Sequence, residues 1–133
     1  MYLVDTNVLS EARRKSPEAL GWLRSAGQEN IWLSVITLGE ISLGIERRRR
    51  KNPDFATQLA EWLTRIRRAH ANRILPVNDE IALAWGRIAT IRSRGEADGV
   101  IAATALIHGL AVVTRNTADF ADAGVRVVNP WAP

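Results

Sequence analysis

Four acidic residues occupy positions where chemistry would be placed: Asp5, Glu40, Asp98 and Asp119. Asp5 ends the apolar run Met1-Tyr2-Leu3-Val4 and is followed by Thr6-Asn7 and a helical pattern. Glu40 comes six residues after Ser34, early in another helical pattern. Asp98 opens Asp98-Gly99-Val100-Ile101-Ala102-Ala103, and Asp119 follows Thr114-Arg115-Asn116-Thr117-Ala118. Carboxylates gathered in one place repel one another, by about 4 kcal/mol for two unit charges ~4 Å apart at an effective dielectric near 20. A hard cation relieves that repulsion. Mg²⁺ takes one or two carboxylates and fills its remaining positions with water and substrate phosphate, and Mn²⁺ accepts the same ligands. Such an ion activates water and stabilises the charge of in-line displacement at a phosphodiester.

Each acid also has a purely structural reading. Asp5-Thr6-Asn7 suits an Asx turn with a helix cap. Thr37-Leu38-Gly39-Glu40 matches a capping box. Asp98 suits an N-cap or a first-turn acid, and Asn116 with Asp119 suits one more cap. A cap is worth ~1 kcal/mol. On this alternative the chain is a non-catalytic nucleic-acid- or protein-binding module.

The two readings differ in whether the elements bring the acids together. Strand-like runs fall at residues 2–4, 31–34, 74–77, 111–114 and 125–128, and helical patterns at about 8–15, 17–25, 38–50, 54–70, 79–92 and 98–108, the last ending at Gly109. The first run does not alternate polar with apolar residues, as expected of a buried parallel strand. Strands alternating with helices predict an α/β fold with parallel strands. Catalytic groups in such sheets sit beyond the carboxyl ends of the strands, and parallel strands would bring the junctions that carry these acids to one edge of the sheet, where the carboxylates could converge.

The 133 residues fit a single domain, 1–133. There is no cysteine, so a metal must be held by oxygen or by His70 and His108, which lack metal-ligand spacing. That composition suits a reducing compartment, and the expected location is the cytoplasm. Neither a basic leader nor an apolar run of ~18 residues occurs, so no signal peptide or membrane span is expected. The net charge is +4, and sixteen of the eighteen basic residues are Arg. Arginine's planar fork suits phosphate, which fits a nucleic-acid substrate or an acidic partner.

Taken in order, Val4-Asp5-Thr6-Asn7-Val8-Leu9-Ser10-Glu11, Ser34-Val35-Ile36-Thr37-Leu38-Gly39-Glu40, Asp98-Gly99-Val100-Ile101-Ala102-Ala103-Thr104-Ala105, Thr114-Arg115-Asn116-Thr117-Ala118-Asp119-Phe120 and Asn129-Pro130-Trp131 resemble PIN-domain ribonucleases. The nearest pattern is that of VapC-type toxins of toxin–antitoxin pairs, particularly the FitB-like subgroup. The resemblance implies a three-layer α/β/α sandwich around a mostly parallel sheet of four to five strands. It implies Mg²⁺-dependent endonuclease activity on RNA, with Mn²⁺ as a substitute, and inhibition by a cognate VapB/FitA-type antitoxin. It also implies homodimerisation and binding of operator DNA by the toxin–antitoxin complex only. Asp5, Glu40 and Asp98 match the three core acids and Asp119 the more variable fourth. Thr6, Asn7, Thr114 and Asn116 match polar residues that line the acidic pocket. One departure stands out: similar toxins carry several more residues before the third acid, where this chain has Arg92-Ser93-Arg94-Gly95-Glu96-Ala97-Asp98. Glu96 is out of register, so Asp98 takes the role.

Arg115 lies beside the acids and is the candidate for substrate phosphate. Arg47–Lys51 and the group Arg65, Arg67, Arg68 and Arg73 are two further basic patches, each either solvated or a contact for RNA or antitoxin. Apolar residues around Trp85 (Ile81, Leu83, Ala84, Ile88, Ile91) suggest a dimer face. Ile45, Leu59, Trp62, Leu63 and Ile66 suggest a groove for an antitoxin helix. A haloacid-dehalogenase-like phosphatase ranks low, because Asn7 stands where that pattern needs a second acid.

Overall fold

The computed structural model describes residues 1–132. Its strands are β1 (Tyr2–Val4), β2 (Ile31–Ser34), β3 (Ile74–Leu75), β4 (Ala111–Val113) and β5 (Val127–Val128). They form one sheet in the order β3-β2-β1-β4-β5, with every pairing parallel. Tyr2 pairs with both Ile31 and Ala111, so β1 is central. The helices are α1 (Thr6–Arg13), α2 (Pro17–Ala26), α3 (Val35–Arg49), α4 (Pro53–Ala69), α5 (Asp79–Ala89) and α6 (Glu96–His108).

Successive residues of a strand point to opposite faces, and the core follows that alternation. Leu3 and Val112 pack with Ile81, Ile88 and Ile101 of α5 and α6. Their neighbours Val4 and Val113 pack with Val8, Ile41, Ile45 and Leu59 of α1, α3 and α4. Strands buried on both faces are what a parallel sheet requires. The α/β reading and the three-layer arrangement both hold.

Element boundaries moved where a cap or a proline decides them. Helix α1 starts at Thr6 because the Asp5 side chain accepts from the Thr6 N–H. Helix α3 starts at Val35 rather than near Leu38, because the Ser34 hydroxyl accepts from the Ile36 N–H at 3.0 Å. Strand β3 stops at Leu75, before Pro76, which has no N–H to donate. Helix α5 ends at Ala89 rather than at 92, and α6 begins at Glu96 rather than at Asp98. It closes at Gly109, whose φ of 66° is the left-handed conformation that glycine adopts without strain.

Candidate active site

The strand order reverses between β1 and β4: the chain runs outward from β1 through β2 and β3, then returns to β4 on the other side. A crevice opens at such a switch point, outside the carboxyl ends of the strands. Asp5 follows β1 and Thr114 follows β4, so both lie there. Asp5 is only 4% exposed. Its Oδ1 accepts from the Thr6 N–H at 2.8 Å, and its Oδ2 accepts from the Thr114 hydroxyl at 2.8 Å and from Asn7 Nδ2 at 3.3 Å. Asn7 also donates to Thr114 Oγ1 at 3.2 Å, and its own carbonyl accepts from the Arg115 N–H at 3.1 Å. The Asn116 N–H completes the group by donating to Thr114 Oγ1 at 3.0 Å. Thr114 thus joins the two central strands through one hydroxyl.

Glu40 enters from α3. The Thr6 hydroxyl donates to its Oε1 at 2.6 Å, which ties α3 to the start of α1. The capping-box reading of Glu40 is therefore incorrect: Ser34 is the cap, Thr37 is buried inside the helix, and Glu40 reaches across to α1. Asp98 is not a cap either. The N-cap of α6 is Gly95, and Asp98 sits in the first turn of the helix. Asp119 ends a short 3₁₀ turn, Thr117–Asp119, and the Asn116 side chain does not cap that turn. Of the structural readings, the Asp5 cap and the first-turn place of Asp98 hold, and Asp5 caps its helix while facing the crevice.

A cleft of about 320 Å³ is lined by Asp5, Thr6, Asn7, Glu40, Asp98 and Asn116, together with Ser10, Glu11 and Arg14. Burial raises the Asp5 carboxyl pKa above its ordinary value. The hydrogen bonds from Thr114 and Thr6 pull it back, and the charges of Glu40 and Asp119 add to the rise. Asp98 is pushed up to about 6, first by burial and then by Asp5, Asp119 and Glu40, with a hydrogen bond to Asp119 adding to the rise. The topology gathers Asp5, Glu40 and Asp98 into one cleft from three separate stretches of chain, while Asp119 is not among its lining residues and acts on Asp5 and Asp98 through its charge. Among the described residues, no three acidic or histidine side chains close into a ready-made ion cage. The donors are all oxygen, which suits a hard cation that keeps much of its water shell and needs only one or two carboxylates.

Sequence reasoning missed Ser10, Glu11 and Arg14. With Thr6 and Asn7 they share one face of α1 at helical spacing, and that spacing was the available signal. It also missed Arg92, Arg94 and Asp122, which bind one another beside Asp119; nothing in their order marks them. Arg115 is exposed, with its guanidinium 4.7 Å from the Trp131 ring centre. Arg73 is structural, since it donates to the carbonyls of Ile31 and Ala69. Helix α5 turns Ile81, Ala84 and Ile88 into the core, while its Leu83 and, just past its end, Ile91 are 66% and 57% exposed. The expected groove divides in two: Trp62 and Ile66 line an open apolar groove of about 440 Å³ with Leu9, Leu20 and Leu23, while Ile45 and Leu59, largely buried, line a smaller cleft with Trp62 and Phe55.

The profile of the PIN domain matches residues 2–125. This chain belongs to the PIN domain family. Toxin FitB of Neisseria gonorrhoeae is 39% identical over 142 aligned positions, covering 98% of this chain and 99% of the relative. VapC ribonuclease Y4jK of Sinorhizobium fredii is 32% identical, covering all of this chain and 99% of the relative. That alignment has 142 positions against 133 residues here, so at least nine positions have no counterpart in this PIN domain. Among solved structures, FitAcB from Neisseria gonorrhoeae superposes with a TM-score of 0.91 at 38% identity over the full length of both chains. A toxin–antitoxin complex from Klebsiella pneumoniae gives 0.74 at 28% identity, covering 98% of each chain. No helix among the described residues is long and apolar enough to cross a membrane.

Proposed function

We propose that this PIN domain is a metal-dependent endoribonuclease and the toxin of a toxin–antitoxin pair. One observation carries the reading: a buried carboxylate, Asp5, stands at the switch point of a parallel sheet and is coupled to Glu40, Asp98 and Asp119. The names of the relatives, a toxin and a VapC ribonuclease, point the same way. Asp5 and Asp98, with Glu40 and Asp119, would hold Mg²⁺ or Mn²⁺. The ion would supply an activated water and charge stabilisation at the phosphodiester. The protein's part is orientation. Thr114 and Asn7 hold the Asp5 carboxylate, Thr6 holds Glu40, and Arg115, seated on Trp131, offers its fork to substrate phosphate.

The partners follow from the same comparisons. FitAcB and the FitAB complex bound to a DNA fragment are similar in structure to this chain. We infer a cognate antitoxin whose apolar segment occupies the groove beside Trp62 and Ile66, a homodimeric toxin, and operator binding by the complex. The predicted outcome for the purified protein is cleavage of RNA with Mg²⁺ or Mn²⁺ and loss of cleavage on chelation. A second reading, a non-catalytic module, draws on the fact that Asp5 does cap α1. Titration with Mn²⁺ separates them. Binding accompanied by cleavage supports the nuclease; no binding at millimolar metal supports the module.

A further inference from the structure

We propose that Arg94 is a positioning residue of this site: it clamps the turn that carries Asp119 against the start of α6. Its side chain is 2% exposed although it lies in the connection between α5 and α6. One arm of the guanidinium, Nη1, donates to the Asp119 carbonyl at 2.7 Å, and the other, Nη2, donates to Asp122 Oδ1 at 2.8 Å. Arg92 closes the clamp from the same connection. Its Nε meets Asp122 Oδ2 at 2.7 Å, and its Nη2 donates to the Ala118 carbonyl. Two arginines from one short segment thus grip two consecutive carbonyls and one carboxylate of residues 118–122.

The start of α6 is itself fixed. A Cβ at Gly99 would meet the Trp85 indole at 2.9 Å, so α5 and α6 approach closely beside Asp98, and the Arg94 stem runs past the same point at 3.9 Å. The Asp119 turn has no such seat. It lacks a side-chain cap, and besides its own backbone bonds it has Phe120 as its only fully buried residue. Arg94 supplies what the turn lacks. Its Nε is buried without a partner, and an unsatisfied buried donor is costly. An apolar residue would fill that volume without the orphaned donor, but it would leave the Asp119 carbonyl and Asp122 without Arg94's donors. The clamp acts on the metal through Asp119, so this inference rests on the nuclease reading.

The test compares the full-length protein with Arg94→Met, Arg94→Lys and Asp122→Asn. Three quantities are measured: amide hydrogen exchange of the metal-free protein, Mn²⁺ affinity, and kcat against KM on RNA. Partners that orient metal ligands typically contribute 10–100-fold in affinity. Arg94→Met is expected to speed exchange at 117–122 selectively, to weaken Mn²⁺ binding by up to about tenfold, and to lower kcat more than it raises KM. Arg94→Lys, with one head group for two acceptors, recovers part of each. Asp122→Asn alters an exposed residue and keeps the fold, so it gives a smaller change in the same direction even if Arg94→Met does not fold. Unchanged exchange at 117–122, or a general loss of stability with Mn²⁺ affinity and kcat intact, overturns the clamp. Failure of the unaltered protein to bind Mn²⁺ overturns the metal site, whatever the variants do.

Discussion

The two sides of the crevice are built differently. On the β1/β4 side, Asp5, Asn7, Thr114 and the backbone of residues 115 and 116 are linked by direct hydrogen bonds, and Thr6 extends the network to Glu40. On the α6 side, Asp98 and Asp119 face that network as charges, and their positions depend on packing at Gly99 and on the arginine clamp. The first side is preorganised by direct polar bonds. The second carries unrelieved repulsion, and a bound cation would relieve it. We propose that the β1/β4 side would orient a bound cation and that the α6 side, through relief of its repulsion, would supply most of the affinity.

The largest expected effect tests the rigid side. Asp5→Asn should lower the RNA cleavage rate by about a thousandfold, equivalent to ~4 kcal/mol of transition-state stabilisation. Circular dichroism should show the fold intact. Asp119→Asn, on the other side, should cost only about tenfold in the same assay, equivalent to ~1.4 kcal/mol. Equal losses in the two variants would erase the distinction. Next is Thr114→Val, which removes the hydroxyl that serves Asp5, Asn7 and the Asn116 N–H. Urea unfolding should show a loss of about 1–3 kcal/mol. A stability within error of the parent would mean that the network is not what holds the strand ends.

The smallest effect concerns pH. The folded-state pKa of Asp98 is raised from 3.8 to about 6. A raised acid pKa means that the folded state binds the proton more tightly. The stabilisation is therefore complete below the unfolded value and lost as pH rises through the folded one. Metal-free protein should melt at a lower temperature at pH 7.5 than at pH 5. Asp98→Asn should lack that part of the decline. Asp98 is only half-buried, so solvent screening reduces the effect, and a difference of roughly 3 °C is expected. Added Mg²⁺ should shrink it further at pH 7.5. Identical pH profiles for the two proteins would show that Asp98 is not under strain from its neighbours.

The fold was legible because its signals are local. Short apolar runs alternating with amphipathic segments identify parallel strands and helices, and Gly109 marks a helix end by its own chemistry. The acids were legible as a set, since each stands at or shortly after a strand-to-helix or loop-to-helix junction. Their individual roles were not. A residue spaced like a capping box proved to be a partner of Thr6 34 residues away, because the cap competing for that helix, Ser34, lies three residues earlier than Thr37. Helix α5 looked like one apolar surface, yet its residues divide between core and exterior.

What the sequence by itself determined is the order of elements, the burial of β1 and the placing of an acid at its end, all set by short-range patterns of side-chain type. What only the tertiary structure decided is which groups meet. Thr114 reaches Asp5 across 109 positions and Arg94 reaches Asp122 across 28. Strand pairing and the packing of α6 set those distances, and no local rule encodes them.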